Sequence, residues 1–552
     1  MNGLFVQTES PYQYILRRLA YPFVPREKKQ NMVYKVYSGR VGGVFGDLIT
    51  VEVDASSGLP GFEIIGLPGS EVKESKDRVK VALKNAGINL PAMRIVVNLS
   101  PADEHKCGSG FDLPMAISLL GVFGHLEHFE SSETLCLGEL SLDGKVTSVR
   151  GVLAIVKMAK DKGFKRVIIP KENEKEAGMI KGIEIVPVEN LETLIAYFQM
   201  PKEEADKFIV PYVYSNEGRS LEDELKYFEE HTDEADFKDV YGQENVKRAA
   251  ALAAAGFHHL LMSGPPGAGK SLIAKCIPGI MPKLSYDESL EVTTIYSVAG
   301  KLSEEMPFVI KRPFWSPHHS SSAQAICGGG SLARPGLCSL SHRGILFLDE
   351  MTEFKRETID MLRQPLEDGK ITISRAKQTF TYPAKFMLVG AMNPCPCGFY
   401  PDRNKCRCSQ NAIERYLGRL SGPILDRIDI CVEVNRLEPK LLNGERKQGL
   451  SSKEIQEKVE ACVNTQKKRY ERENFKFNSQ IPAAKINTYI PLGKEETEFV
   501  YEAYEQMNLS MRSFYKILRV ARTIADYEGE EKVTIAHLSE ASCYRFPEYI
   551  GG

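Results

Sequence analysis

Nowhere in the 552 residues does an uninterrupted apolar run approach the roughly 18 that a membrane-spanning helix needs, and Arg17 and Arg18 break the apolar part of the N-terminus. A membrane-embedded protein is set aside; a soluble, cytoplasmic one is expected. Surplus charge of either sign is missing too. With 71 Lys and Arg against 73 Asp and Glu the net charge is -2, so composition supplies no basic coat for nucleic acid, and any such contact must be local. Cysteine is scarce, 12 in the whole chain, which rules out a disulfide scaffold. Short internal repeats are absent as well. What is present is an ordinary globular composition, 43% apolar and 26% charged, in a chain long enough for about three or four compact units at roughly 150 residues each.

Residues 1–31 carry Arg17, Arg18, Arg26, Lys28 and Lys29 without a sustained period, and read as a loose arm. From Tyr34 onward the pattern is ordered. Alternating segments at 48–53 and 94–99 predict strands, and Val72, Val79, Leu83 and Ala86 at helical spacing before Gly87 predict a helix with a glycine end. Asp143-Gly144 predicts a hairpin closed by a tight primed turn. A helix over about 151–163 and a strand at 167–169 follow. Residues 201–240 hold 13 Asp and Glu against 5 Lys and Arg, interrupt the apolar period and mark a domain boundary. Beyond it strands and helices alternate to about 436, and amphipathic helices, including 452–472 and 511–528, fill most of the remainder.

The strongest chemical signal is Gly264-Pro265-Pro266-Gly267-Ala268-Gly269-Lys270-Ser271, a full phosphate-loop pattern between an apolar strand and a helix. Glycines let backbone N–H groups wrap phosphates, Lys270 neutralises the terminal phosphates, and the Ser271 hydroxyl can coordinate Mg²⁺. About 80 residues on, the apolar strand 344–348 ends in Asp349 and Glu350. Asp349 is expected to hold the metal and Glu350 to polarise the attacking water. Asn393, ending the next strand, is placed to orient that water or to sense the terminal phosphate.

These elements, with Gly242-Gln243 ahead of them, resemble the magnesium-chelatase-like branch of the AAA+ ATPases. Pro317-His318-His319, the run 363–369, the run 393–398 and the run 421–429 narrow the resemblance to the bacterial YifB/ComM family over about residues 32–548. It implies an α/β chain with an N-terminal Lon-protease-like α+β domain (ribosomal S5 domain 2-like) over 32–200, an acidic linker over 201–236, a central AAA+ P-loop domain over 237–436, and a C-terminal helical lid over 437–552. Residues 1–31 are then an extension or a mis-assigned start, since members begin near Met32. Gln243 falls among the nucleotide-binding residues. The resemblance also implies ATP with Mg²⁺, bound between subunits of a homo-oligomer, a hexameric ring, and action on single-stranded or branched DNA as a helicase promoting branch migration. Arg427 matches the arginine finger, which a neighbour's phosphate requires in trans, and Arg512 matches the second sensor. The hairpin at 371–385 matches one that points into the pore of related rings. There Arg375 and Lys377 would touch phosphates while Phe380 stacks on a base; solvated charges on an ordinary hairpin are an equal alternative. The adjacent His318 and His319 lack ligand-spaced partners and read as structural.

Proteolytic Lon domains need a serine and a lysine. Here the serine position falls near Gly110, beside Ser109, and the lysine position on or near Leu153. Without an amine to take its proton a hydroxyl is a poor nucleophile, so peptidase chemistry is not expected. Cys395, Cys397, Cys406 and Cys408 form two pairs whose connecting chain allows four sulfurs to converge. Zn²⁺ is preferred over plain thiols, although one-residue spacing within each pair is tighter than a common knuckle. Two other functions stand beside the DNA motor. One is a chelatase motor subunit, against which the Lon-like domain and the lack of an Asp-x-Ser-x-Ser motif both speak. The other is a protein remodeller, disfavoured by the missing lysine.

Overall fold

A computed structural model describes residues 33–545 except 104, 127–128, 211–234, 304–305, 331–332, 376–377, 437–448 and 508. The arm 1–31, most of the acidic stretch, the first residues of the lid and Lys377 therefore lie outside the described residues. Backbone contacts divide the chain into two units. One comprises 1–224 with 293–308, the other 225–292 with 309–552.

The first unit is a mixed seven-stranded sheet. Its order is Gly61–Ile65, Arg94–Ser100, Phe45–Ser56, Tyr34–Gly42, Thr134–Cys136, Arg166–Pro170, Glu184–Val188. Long antiparallel pairing joins Tyr34–Gly42 to Phe45–Ser56 and that strand to Arg94–Ser100, while the outer pairs are parallel. Period-2 alternation decides which face is covered. Ile49, Val51 and Val53 are fully buried in one core with Leu113, Met115 and Ile117 of the helix Asp112–Val122. The expected helix runs Ser70–Asn85, with Gly87 at φ +83° just past its end. One expectation fails. Glu139–Leu140 does pair with Val146–Thr147, yet the connection is five residues long and only Gly144 has positive φ. A two-residue type I′ turn, which Asp-Gly favours, needs two such residues. Asp143 instead accepts Lys145 N–H at 3.2 Å while Ser141 N–H reaches the Lys145 carbonyl at 3.0 Å, which stabilises the wider loop.

The second unit is built on a five-stranded parallel sheet, ordered Phe314–Trp315, Ile345–Leu348, Met387–Met392, Leu260–Ser263, Ile430–Glu433. Leu260–Ser263 lies between two parallel partners, so all four of its residues are buried, and its loop emerges at the carboxyl edge shared by its neighbours. In such sheets ligands sit at that edge. Against the sheet lies Glu244–Gly256, whose residues 249–251 and 253–255 are all alanine and all buried. Small side chains let lid helices Ser452–Arg469 and Met511–Glu528 approach closely, and strand, alanine helix and lid share one core. Ser451 and Glu454 form a reciprocal capping box at the start of the first lid helix.

A polar knot holds the lid together. The Asp526 side chain, fully buried, accepts two hydrogen bonds from Arg469 at 2.6 Å each, one from Arg522 at 2.8 Å and one from Asn478 at 2.9 Å. Asp526→Asn keeps the shape and removes the charge, leaving buried Arg522 and part-buried Arg469 without a counter-ion. The lid is expected to lose ~3–5 kcal/mol, read as a lower denaturant midpoint for lid unfolding. An unchanged midpoint would show that the knot contributes nothing.

Candidate functional site

The phosphate loop is shaped by backbone conformation. Gly267 and Gly269 adopt φ of +74° and +90°, and Gly269 caps the helix Lys270–Ile280, whose first N–H groups face the loop. Lys270 is only 9% exposed. Its ammonium donates to the carbonyls of Gly264 at 2.6 Å and Pro265 at 3.0 Å, and to Asn393 Oδ1 at 3.1 Å. Burial lowers its pKa, and the nearby carboxylates of Asp349 and Glu350 oppose that shift.

Ser271 Oγ donates to Asp349 Oδ2 at 2.6 Å. The two expected Mg²⁺ ligands are therefore already side by side, a hydroxyl and a carboxylate oxygen of the hard type that Mg²⁺ prefers. Glu350 follows at φ +49°, a left-handed conformation rare for a non-glycine residue and concentrated at functional sites. The strand Ile345–Leu348 ends just before Asp349, so the change of direction turns Glu350 away from the strand line. His319 Nδ1 lies 3.6 Å from Glu350 Oε2, with the His318 ring 4.0 Å from that of His319. Sequence spacing gave no reason to place His319 beside Glu350, because its partner lies on a different element. Gln243, at φ +60°, begins the alanine helix and donates to the Asn435 carbonyl just beyond Ile430–Glu433.

Arg427 and Arg512 do not join this group among the described contacts. They meet at Glu367 instead. Arg427 pairs with one carboxylate oxygen, and Arg512 Nη2 lies 3.5 Å from the other. Hydrogen bonding from Arg427 is the main reason the Glu367 pKa is lowered. Glu367 lies within the motif 363–369, but the motif alone assigned it no role.

The hairpin is Lys370–Ser374 against Thr379–Pro383, as expected, with Arg375 N–H bonded to the Gln378 carbonyl at 2.8 Å across the tip. Exposed Arg375 donates to the Gly330 carbonyl, and Tyr382 Oη donates to the Ala333 carbonyl at 2.8 Å, tying the hairpin to a neighbouring glycine-rich loop. Phe380 is half-buried.

The four cysteines converge. Their sulfurs all lie within 4.8 Å of one another, with Cys395–Cys397 at 3.3 Å, Cys397–Cys406 at 3.6 Å and Cys395–Cys406 at 3.7 Å. A tetrahedral site with Zn–S bonds of about 2.3 Å requires sulfurs about 3.8 Å apart. Tyr400 N–H points to Cys395 Sγ at 3.4 Å, a donor placed to steady a thiolate.

Family models agree with this assembly. "Magnesium chelatase, subunit ChlI" matches residues 236–442, "Subunit ChlI of Mg-chelatase" matches 51–173, and "Magnesium chelatase, subunit ChlI C-terminal" matches 449–545. The chain is 39% identical over 503 residues to the uncharacterized protein YifB of Escherichia coli, covering 91% of this chain and 95% of that one. It is 38% identical over 514 residues to Competence protein ComM of Haemophilus influenzae, covering 92% and 97%. Similarity to the magnesium-chelatase 38 kDa subunit of Cereibacter sphaeroides is lower, 23% over 331 residues and 55% of this chain. With Lys270 of the phosphate loop, Ser271 bonded to Asp349, Glu350 and Asn393 gathered at one sheet edge, and near-full-length relatives of this kind, the chain belongs to the YifB/ComM family of magnesium-chelatase-like AAA+ ATPases.

Proposed function

We propose that this ATPase is a DNA motor, a helicase or translocase working as a hexameric ring and promoting branch migration in DNA uptake or recombination. The observation that carries the reading is the braced hairpin. Its exposed Arg375 stands at the tip of a two-stranded arm, bonded to the neighbouring loop, in the same unit as the phosphate loop. The name of one relative, a competence protein, supports DNA as the polymer. Arg427 and Arg512, bonded to Glu367 and to no residue of the chain's own phosphate loop among the described contacts, support a nucleotide shared with a neighbouring subunit. ATP would be held by the loop 264–271 and Asn393, with Mg²⁺ on Ser271 and Asp349; the ion would neutralise phosphate charge. Zn²⁺ is proposed for the four cysteines. No described helix is long and apolar enough to cross a membrane.

A chelatase motor is the second reading, favoured by the family models. The chelatase subunit, however, aligns with only 55% of this chain. ATPase rates measured with no polymer, single-stranded DNA, branched DNA and unfolded protein separate the possibilities. DNA is expected to stimulate turnover, and Arg375→Ala with Lys377→Ala is expected to remove that stimulation while sparing the basal rate. Stimulation should also fall steeply with salt, because phosphate contacts release counterions. Stimulation by unfolded protein alone would favour a protein remodeller.

A further inference from the structure

Two segments link the thiol cluster to the nucleotide site. Asn393, which bonds Lys270, is two residues before Cys395, and Gly398 follows Cys397 immediately. Gly398 rests directly on the phosphate loop. A Cβ there would lie 2.4 Å from Cδ of Pro266, and its φ of +80° also disfavours any side chain. The segment 393–398 thus meets the phosphate loop at both ends, with two sulfurs between those contacts.

The second pair of sulfurs leads elsewhere. Cys406 and Cys408 enter the helix Gln410–Leu417, capped by Ser409 Oγ at 3.3 Å from Ala412 N. From that helix Tyr416 Oη accepts a hydrogen bond from Thr352 at 2.6 Å, two residues beyond Glu350. One pair of cysteines therefore belongs to the phosphate-loop side and the other to the catalytic-carboxylate side.

We propose that a zinc ion bound by Cys395, Cys397, Cys406 and Cys408 cross-links the two halves of the nucleotide site, so that ATP affinity depends on the metal. The inference rests on reading 264–271 as the nucleotide site. Zinc binding to the four thiols releases four protons to solvent and leaves four thiolate ligands; no electrons move. Without the ion, the two cysteine pairs keep their packing in the core but lose the bond that joins them, and the binding-competent loop is populated a fraction of the time. Apparent affinity falls by that fraction, on the order of tenfold if the fraction is about a tenth.

The test uses the full chain. Zinc content is measured by elemental analysis and affinity by titration of a fluorescent ATP analogue, for the unaltered chain, Cys406→Ser with Cys408→Ser, Gly398→Ala and Lys270→Ala. The unaltered chain is expected to hold one zinc ion. The double cysteine variant should lose zinc and bind nucleotide on the order of tenfold more weakly. Gly398→Ala should keep its zinc and still bind weakly, because the contact on Pro266 and not the ion is displaced. If the cysteine variant does not fold, chelation of the unaltered chain followed by zinc return gives the same reading, expected as a reversible loss of affinity. Zinc-free protein that binds nucleotide with undiminished affinity would overturn the coupling, and so would normal affinity in Gly398→Ala. Purification without zinc from zinc-supplemented medium would overturn the metal site. Undiminished affinity in Lys270→Ala would instead overturn the nucleotide-site reading itself.

Discussion

Glu350→Gln is expected to bind ATP as the unaltered chain does and to hydrolyse it roughly 10²–10⁴-fold more slowly, the usual contribution of a positioned general base. The amide keeps the size of the carboxylate and the turn at φ +49° can persist. What is lost is the acceptor for the water's proton. Lys270→Ala should behave differently. Its ammonium holds Gly264, Pro265 and Asn393 together, so its removal should weaken nucleotide binding before any chemistry. Single-turnover hydrolysis beside equilibrium nucleotide titration separates the two. Normal turnover in Glu350→Gln would move the base elsewhere, with His319, 3.6 Å away, the first alternative.

For Arg427→Ala the expectation is retained ATP binding with turnover lowered by about 10³–10⁵, the range for an arginine finger. Mixing Arg427→Ala subunits with Glu350→Gln subunits should restore part of the activity. Some interfaces would then join an intact arginine from one subunit to an intact glutamate of the next. The structure adds a companion expectation. Because Glu367 engages both Arg427 and Arg512, Arg512→Ala should also respond to mixing, as a residue of the same surface. Full-rate hydrolysis by isolated monomers would exclude the shared site.

The phosphate loop, the strand ending in Asp349-Glu350 and the strand leading to Asn393 were legible because each is a contiguous run that local sequence pattern records. The lid helices were legible for a similar reason, a sustained apolar period. Features assembled across long separations were not. Phe314–Trp315 is an edge strand of two residues, too short to carry alternation. The Glu367 bridge joins residues 60 and 145 positions away, and no local pattern records it. Gly398 on Pro266 is equally silent, since a glycine in a Cys-rich loop has a dozen ordinary uses. At Asp143-Gly144 the dipeptide rule misjudged loop width because Asp143 uses its side chain, not its backbone, to close the loop.

The alanine helix Glu244–Gly256 has a mechanical consequence. Alanine has no rotamers, so this layer cannot absorb displacement by repacking side chains, as leucine or methionine would. Close-packed interiors transmit strain. The helix is thus a stiff shim between lid and sheet, and at its starting end stands Gln243, bonded to the backbone beyond Ile430–Glu433. A shift of the lid helices reaches that end of the nucleotide edge with little damping, and inserting bulk, for example Ala253→Leu, would change the thickness of the shim and the alignment it sets.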